Sequence, residues 1–275
     1  MKILITGGGG FLGSKLCEAL LRRGALTGPS GEAEAIDEVV LLDAFFHGAA
    51  TDGRVRQVVG DIGDRDTVFE AVGSREDTAI FHLASMVSGE CEERFDDALR
   101  VNLDGGRHVF EAARAITGRP RVVFASSIAC FGGEGMEAVN TDRTKQTPQT
   151  TYGMTKAICE MLVNDHTRKG HFDGRSVRLP TVIVRPGKPN AAASSWASGM
   201  FREPLNGEAC LLPVRRDQRH PMTGYRTVVE SFIALHEVEG TRMGSDRAFV
   251  LPAHAVTPAL AEAVVREVAA ERGIT

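Results

Sequence analysis

At 275 residues, with 43% hydrophobic and 25% charged residues, the chain has the make-up of a globular protein long enough for one large domain or two modest ones. A formal net charge of −4 offers no basic surface to draw it to nucleic acid or an anionic membrane. No apolar run approaches the roughly 18 residues of a membrane span and no signal-peptide pattern opens the chain, while five scattered cysteines (Cys17, Cys91, Cys130, Cys159, Cys210) without a C-x-x-C predict free thiols in the reducing cytoplasm.

Short β-branched runs alternate with helical patterns along the chain, which predicts an α/β fold: a Rossmann-type, doubly wound parallel sheet with a small C-terminal substrate-binding subdomain. The first expected strand is Lys2–Thr6, followed by "TGGGGFLG" and a helix over Gly10–Arg23. Gly7, Gly10 and Gly13 permit a tight turn and close backbone approach to a pyrophosphate at a helix N-terminus, with Phe11 and Leu12 beside it. After a Gly- and Pro-containing surface loop at Thr27–Ala35, the strand Glu38–Asp43 ends in a carboxylate. Placed there, Asp43 accepts hydrogen bonds from the adenosine ribose hydroxyls and repels a 2′-phosphate, so NAD is expected rather than NADP. Further strands are expected at Arg54–Val59, Ala79–Leu83, Arg121–Ala125, Ser176–Val184 and Ala248–Leu251, and helices at Arg65–Val72, Phe95–Ile116, Tyr152–Lys169 and Pro258–Arg272. The expected division is a NAD-binding domain over 1–185, with a returning segment near 225–250, and a substrate-side subdomain from 186–224 and 251–275. The eight histidines show no metal-ligand spacing, so no metal is expected.

"TTYGMTK" places Tyr152, one of only two tyrosines, four residues before Lys156. On a helix those side chains share a face. A cation there favours the phenolate and lowers a tyrosine pKa from about 10, which suits a proton acceptor in alcohol oxidation.

The ordered set TGGGGFLG, Asp43, "GDIGD" at 60–64, "HLAS" at 82–85, Asn102, "SSIACFG" at 126–132 and Tyr152-x-x-x-Lys156 resembles the extended short-chain dehydrogenase/reductases, the group that holds nucleotide-sugar epimerases and dehydratases. The resemblance implies that Asp61 and Ile62 contact adenine and that Leu83, Ala84 and Ser85 line the cofactor. It further implies that Asn102 supports the active site at the cofactor, that Pro180 and Thr181 face the nicotinamide, and that Ser127 orients the substrate oxygen. Tyr152 is then the general base, and Lys156 lowers its pKa and holds the nicotinamide ribose. A homodimer is implied as well, built on the helices Phe95–Ile116 and Tyr152–Lys169.

A closer likeness within that family, carried by "VVGDIGD", "TPQTTYGMTKAICE", "DGRSVRLPTVIVRPGKPNAAASS" and "REPLNGE", implies NAD-dependent oxidation of a secondary alcohol on a small sugar acid. Against that family the chain looks short at its C-terminus. For the substrate's carboxylate, Arg185 and Asn190 in "VRPGKPN" are the candidates, with Arg226 a weaker one. An arginine there serves equally well to bond loop carbonyls. Ser85, Ser88 and Ser194 could meet hydroxyls, and Trp196 reads as packing. Two alternatives stay open: a nucleotide-sugar epimerase or dehydratase that recycles its NAD, and a non-catalytic NAD-binding regulator.

Overall fold

The computed structural model describes residues 1–274. β1 (Lys2–Thr6) leads into α1 (Phe11–Arg23), then a hairpin of β2 (Ala25–Thr27) and β3 (Ala33–Ala35), then β4 (Glu38–Asp43) and β5 (Val55–Val59). Next come α2 (Arg65–Val72), β6 (Thr78–His82), α3 (Ser88–Glu93), α4 (Phe95–Ala98), a π-helical segment (Leu99–Asp104) and α5 (Gly105–Ala115). β7 (Arg121–Ser127) runs into a 3-10 turn (Ile128–Cys130), followed by α6 (Thr151–Arg168), β8 (Asp173–Leu179) and β9 (Thr181–Ile183). The rest is α7 (Ser195–Leu205), β10 (His220–Gly224), α8 (Tyr225–Glu237), β11 (Ala248–Val250), β12 (His254–Val256) and α9 (Pro258–Glu271).

Seven strands form one sheet in the order β11-β8-β7-β6-β1-β4-β5, every neighbouring pair parallel. Every residue of β1 and β6 is buried, as the continuous apolar runs of a doubly covered parallel sheet require. Alternation sends Ile3 and Ile5 of β1 to a core shared with Leu16 and Leu20 of α1 and Val228 and Phe232 of α8. Leu4 points the other way, into a second core with Val68, Val109, Phe110 and Val163 from α2, α5 and α6. The chain builds outward from β1 on one side through β4, then returns to its other side at β6. The connections therefore part between β1 and β6, and a crevice opens at their carboxyl ends.

Pro180 changes the expected layout. The single strand foreseen over Ser176–Val184 is two strands in two sheets, because proline has no N–H to donate to a ladder. β8 lies in the large sheet, whereas β9 pairs in parallel with β10, which pairs antiparallel with β12. α7 and α9 cover that small sheet through Ala197, Met200, Met222 and Ala261. Other expectations also shift. The surface loop at Thr27–Ala35 is closed by the β2–β3 hairpin, and the helix foreseen over Phe95–Ile116 is α4 and α5 joined by the π segment. α8 was not foreseen at all, although its buried Val228, Val229, Phe232 and His236 fall at helical spacing.

Candidate active site

The carboxyl ends of β1, β4, β6, β7 and β8 border a cleft of about 1140 Å³. The glycine loop forms one end of it. Gly7 adopts φ +73°, and a Cβ there would stand 2.8 Å from the Ala84 backbone nitrogen, so only glycine lets the loop nestle against the segment after β6. Gly10 caps α1 without a side-chain bond, which leaves the first amides of that helix aimed at the cleft. Asp43 accepts from the Gly9 amide at 3.0 Å, tying the end of β4 to the loop. Gly13, Phe11, Leu12, Asp61 and Ile62 line the same end. The Asp61 carboxylate accepts from Gly63 N at 2.8 Å and from Arg100 Nη1 at 2.5 Å. Arg100 also lines the cleft and was not foreseen, since its meeting with Asp61 spans 39 residues of sequence. A bare amide-lined helix start, a carboxylate at the end of β4 beside it and a glycine that admits no Cβ together fit a dinucleotide.

Leu83, Ala84 and Ser85 form the middle of the wall. Asn102, expected at the cofactor, does not line the cleft. It is 4% exposed and sits in the π segment, the wide-turn geometry that recurs at functional sites. Its Oδ1 accepts from Met86 N at 2.7 Å while its Nδ2 donates to Met86 O at 3.3 Å and Cys91 Sγ at 3.3 Å. Asn102 therefore grips the loop that follows Ser85 rather than facing the cofactor cleft directly.

Ser127, Tyr152 and Lys156 converge in the same cleft. Ser127 ends β7 and caps the following 3-10 turn, its Oγ accepting from Ala129 N at 3.1 Å. Thr150 caps α6 by accepting from Gly153 N at 3.0 Å. A Cβ on Gly153 would lie 2.1 Å from Ala129 O, so the start of α6 rests directly on the Ser127 turn. Lys156 Nζ donates to Ala125 O at 2.9 Å and lies 5.5 Å from the Tyr152 ring centroid. Electrostatics depart from expectation here. Burial pushes the Tyr152 phenol up to about 12, against the downward pull of the neighbouring Ser127 hydroxyl. Burial also pushes Lys156 down to about 8. Within the protein alone, the lysine does not bring the phenol below its ordinary value.

Pro180 and Thr181 line the cleft beyond the end of β8, with the chain after β9 and α7 on the same side. Arg185 and Asn190 both line the cleft. Arg185 is half-buried and donates from Nη1 to Lys188 O at 2.8 Å, while its amide donates to Ser198 Oγ at 3.0 Å. The loop-bonding role is therefore present alongside any role toward substrate. Ser194, Ser198 and Arg202 recur every four residues and present one face of α7 to the cleft. Arg202, which donates to Arg185 O at 2.9 Å and pairs with Glu203, is a second cation that the sequence pattern did not single out. Ser88 donates no bond here but accepts from Ala193 N at 3.0 Å, latching the loop before α7 to α3. Arg226 does not line the cleft and lies 5.9 Å from the Tyr225 ring, and Trp196 packs edge-on against His220 at 4.6 Å. Among the described residues no cluster of histidine, cysteine and carboxylate side chains could hold a metal ion.

Comparison with known proteins agrees with this geometry. The model of the NAD dependent epimerase/dehydratase family matches residues 3–241. The chain is 44% identical over 269 residues to D-erythronate dehydrogenase of Cupriavidus necator, covering 98% of this chain and 82% of that protein. It is 40% identical over 258 residues to the D-erythronate dehydrogenase of Haemophilus influenzae, covering 94% and 79%. The crystal structure of a nucleoside-diphosphate-sugar epimerase from Agrobacterium tumefaciens superposes with a TM-score of 0.85 at 38% identity, covering 100% of this chain and 80% of that one.

Proposed function

Because the chain belongs to the NAD-dependent epimerase/dehydratase family, we propose that it oxidises the C2 hydroxyl of D-erythronate to 2-dehydro-D-erythronate. The observation that carries this reading is one cleft holding the dinucleotide cradle and the Ser127–Tyr152–Lys156 group, in a chain most of whose length matches two D-erythronate dehydrogenases. Gly7, Gly10, Gly13 and Asp43 would hold NAD, which would supply the hydride acceptor and a positive charge. Tyr152 Oη takes the hydroxyl proton. Ser127 holds the substrate oxygen beside it, and Lys156 stabilises the phenolate and would hold the nicotinamide ribose. Asn102 keeps the loop behind Ser85 in register with them.

Arg185 and Asn190 are assigned to the substrate carboxylate, with Arg202 supporting Arg185 from α7. A four-carbon acid with several hydroxyls suits a wall of Ser85, Ser127, Ser194 and Ser198. We further assign the protein to the cytoplasm, supported by the free cysteines and by the lack of a helix able to cross a membrane among the described residues. The substrate-side unit is taken as 186–224 and 251–275. The likeness to a nucleoside-diphosphate-sugar epimerase supports a second reading, in which NAD stays bound and is regenerated each turnover.

Absorbance of NADH during reaction with four-carbon acids separates the two. Steady accumulation well beyond one equivalent per subunit is expected. A signal that stops at one equivalent or decays would favour the epimerase. Arg185→Leu should raise KM for the acid about ten- to a hundredfold, the worth of a charge-assisted hydrogen bond of roughly 1.5–3 kcal/mol, and act far less on a neutral polyol. Equal effects on both would make Arg185 a loop-bonding residue only.

A further inference from the structure

Lys156 is sealed into the catalytic wall, 4% exposed, with the Ala125 carbonyl and the rings of Phe124 and Tyr152 at 4.9 and 5.5 Å as neutral neighbours. An ammonium so placed needs a counter-charge. Titratable groups face it from each packed element: Tyr152, Cys159 and Glu160 on α6 itself, His82 on β6, Cys91 on α3 and Cys130 after β7. Arg178 on β8 stands behind Glu160. Burial pushes His82 down to about 3 and Cys130 and Cys159 up to about 12, and Cys91 is also raised, so these groups carry no charge at neutral pH.

Glu160 remains, 2% exposed and one helical turn beyond Lys156 on the same face. Its oxygens accept from Arg178 Nε at 3.1 Å, Arg178 Nη2 at 2.8 Å, Gln146 Nε2 at 2.5 Å and the Ser126 hydroxyl. Three consecutive residues at the end of β7 thus meet one face of α6: Ala125 through Lys156, Ser126 through Glu160, and Ser127 beside Tyr152. We propose that Glu160, fixed by Arg178, is a positioning residue that keeps buried Lys156 in its ammonium form and locks α6 to the end of β7.

The catalytic meaning of this inference rests on the reading of Tyr152 and Lys156 as the working pair, but its test needs no substrate. NMR of the full chain labelled with ¹³C-lysine follows Lys156 directly, its signal assigned by its loss in Lys156→Met. The native midpoint is expected near 8. In Glu160→Gln it should fall by at least about one unit, since the opposing charge goes. Removing one partner of a buried pair can unfold a protein, whereas removing both is better tolerated. If Glu160→Gln does not fold, Glu160→Gln/Arg178→Met carries the test, with a midpoint below native because the carboxylate is the member of the pair that acts on Lys156. A native midpoint in Glu160→Gln, or in the double variant where the single one does not fold, would overturn the proposal. Failure of every sugar acid to yield NADH would instead sink the substrate reading and leave these midpoints untouched.

Discussion

Burial and the Ser127 hydroxyl pull the Tyr152 phenol in opposite directions, and burial prevails, holding it near 12. A general base works best with its pKa near the working pH, so the site needs a further cation before the phenolate forms readily. The nicotinamide ring of NAD carries that charge. In Tyr225→Phe, Tyr152 is the sole tyrosine, because the chain has two. Its phenolate absorbance should then titrate with a midpoint near 12 alone and a lower one with NAD bound. A midpoint of about 10 or less without NAD would show that Lys156 outweighs burial. Helical spacing alone was enough to pair Tyr152 with Lys156. Their protonation was not legible, because desolvation depends on what packs around them. Glu160 was likewise invisible as a partner, since Arg178 and Ser126 reach it from 18 and 34 residues away.

Elements carry the geometry that single residues cannot. The start of α6 lies on the Ser127 turn only because Gly153 has no side chain. Gly153→Ala should push α6 off that turn and separate Tyr152 from Ser127. We expect kcat to fall by tenfold or more, on the order of the penalty for a misplaced catalytic group. Unaltered kcat would show that the turn yields freely. The strands of the large sheet were readable as buried apolar runs, and the glycine loop as a strand–turn–helix junction. The small sheet was not, for its strands are three to five residues long and their pairing is set by Pro180 and by contacts across the chain. α8 shows the opposite failure: its spacing was present in the sequence, but the segment was read only as a return to the sheet.

At the level of the whole molecule, the homodimer that the family resemblance implies would draw on faces that the core does not use. Phe95 on α4 and Met161 on α6 are 51% and 57% exposed, although α6 already buries Cys159 and Val163 against the sheet. Covering the sheet therefore does not account for both apolar faces. Light scattering at micromolar concentration should give a dimer, and Met161→Glu should shift it toward monomer by placing a charge in the apolar contact. A native protein that is monomeric there would remove the assembly from the account.

The ordered motifs pointed to the family that the comparisons also give, and the proposed chemistry turns on Tyr152. The most direct measurement is NADH formation from D-erythronate and NAD by the native protein and by Tyr152→Phe, with NAD binding measured on both. The account predicts steady NADH production by the native chain. It predicts a loss of about a hundredfold or more in the variant, the usual scale for a general base, while NAD still binds. Native-like turnover in Tyr152→Phe, or no NADH from the native protein with NAD bound, would contradict it.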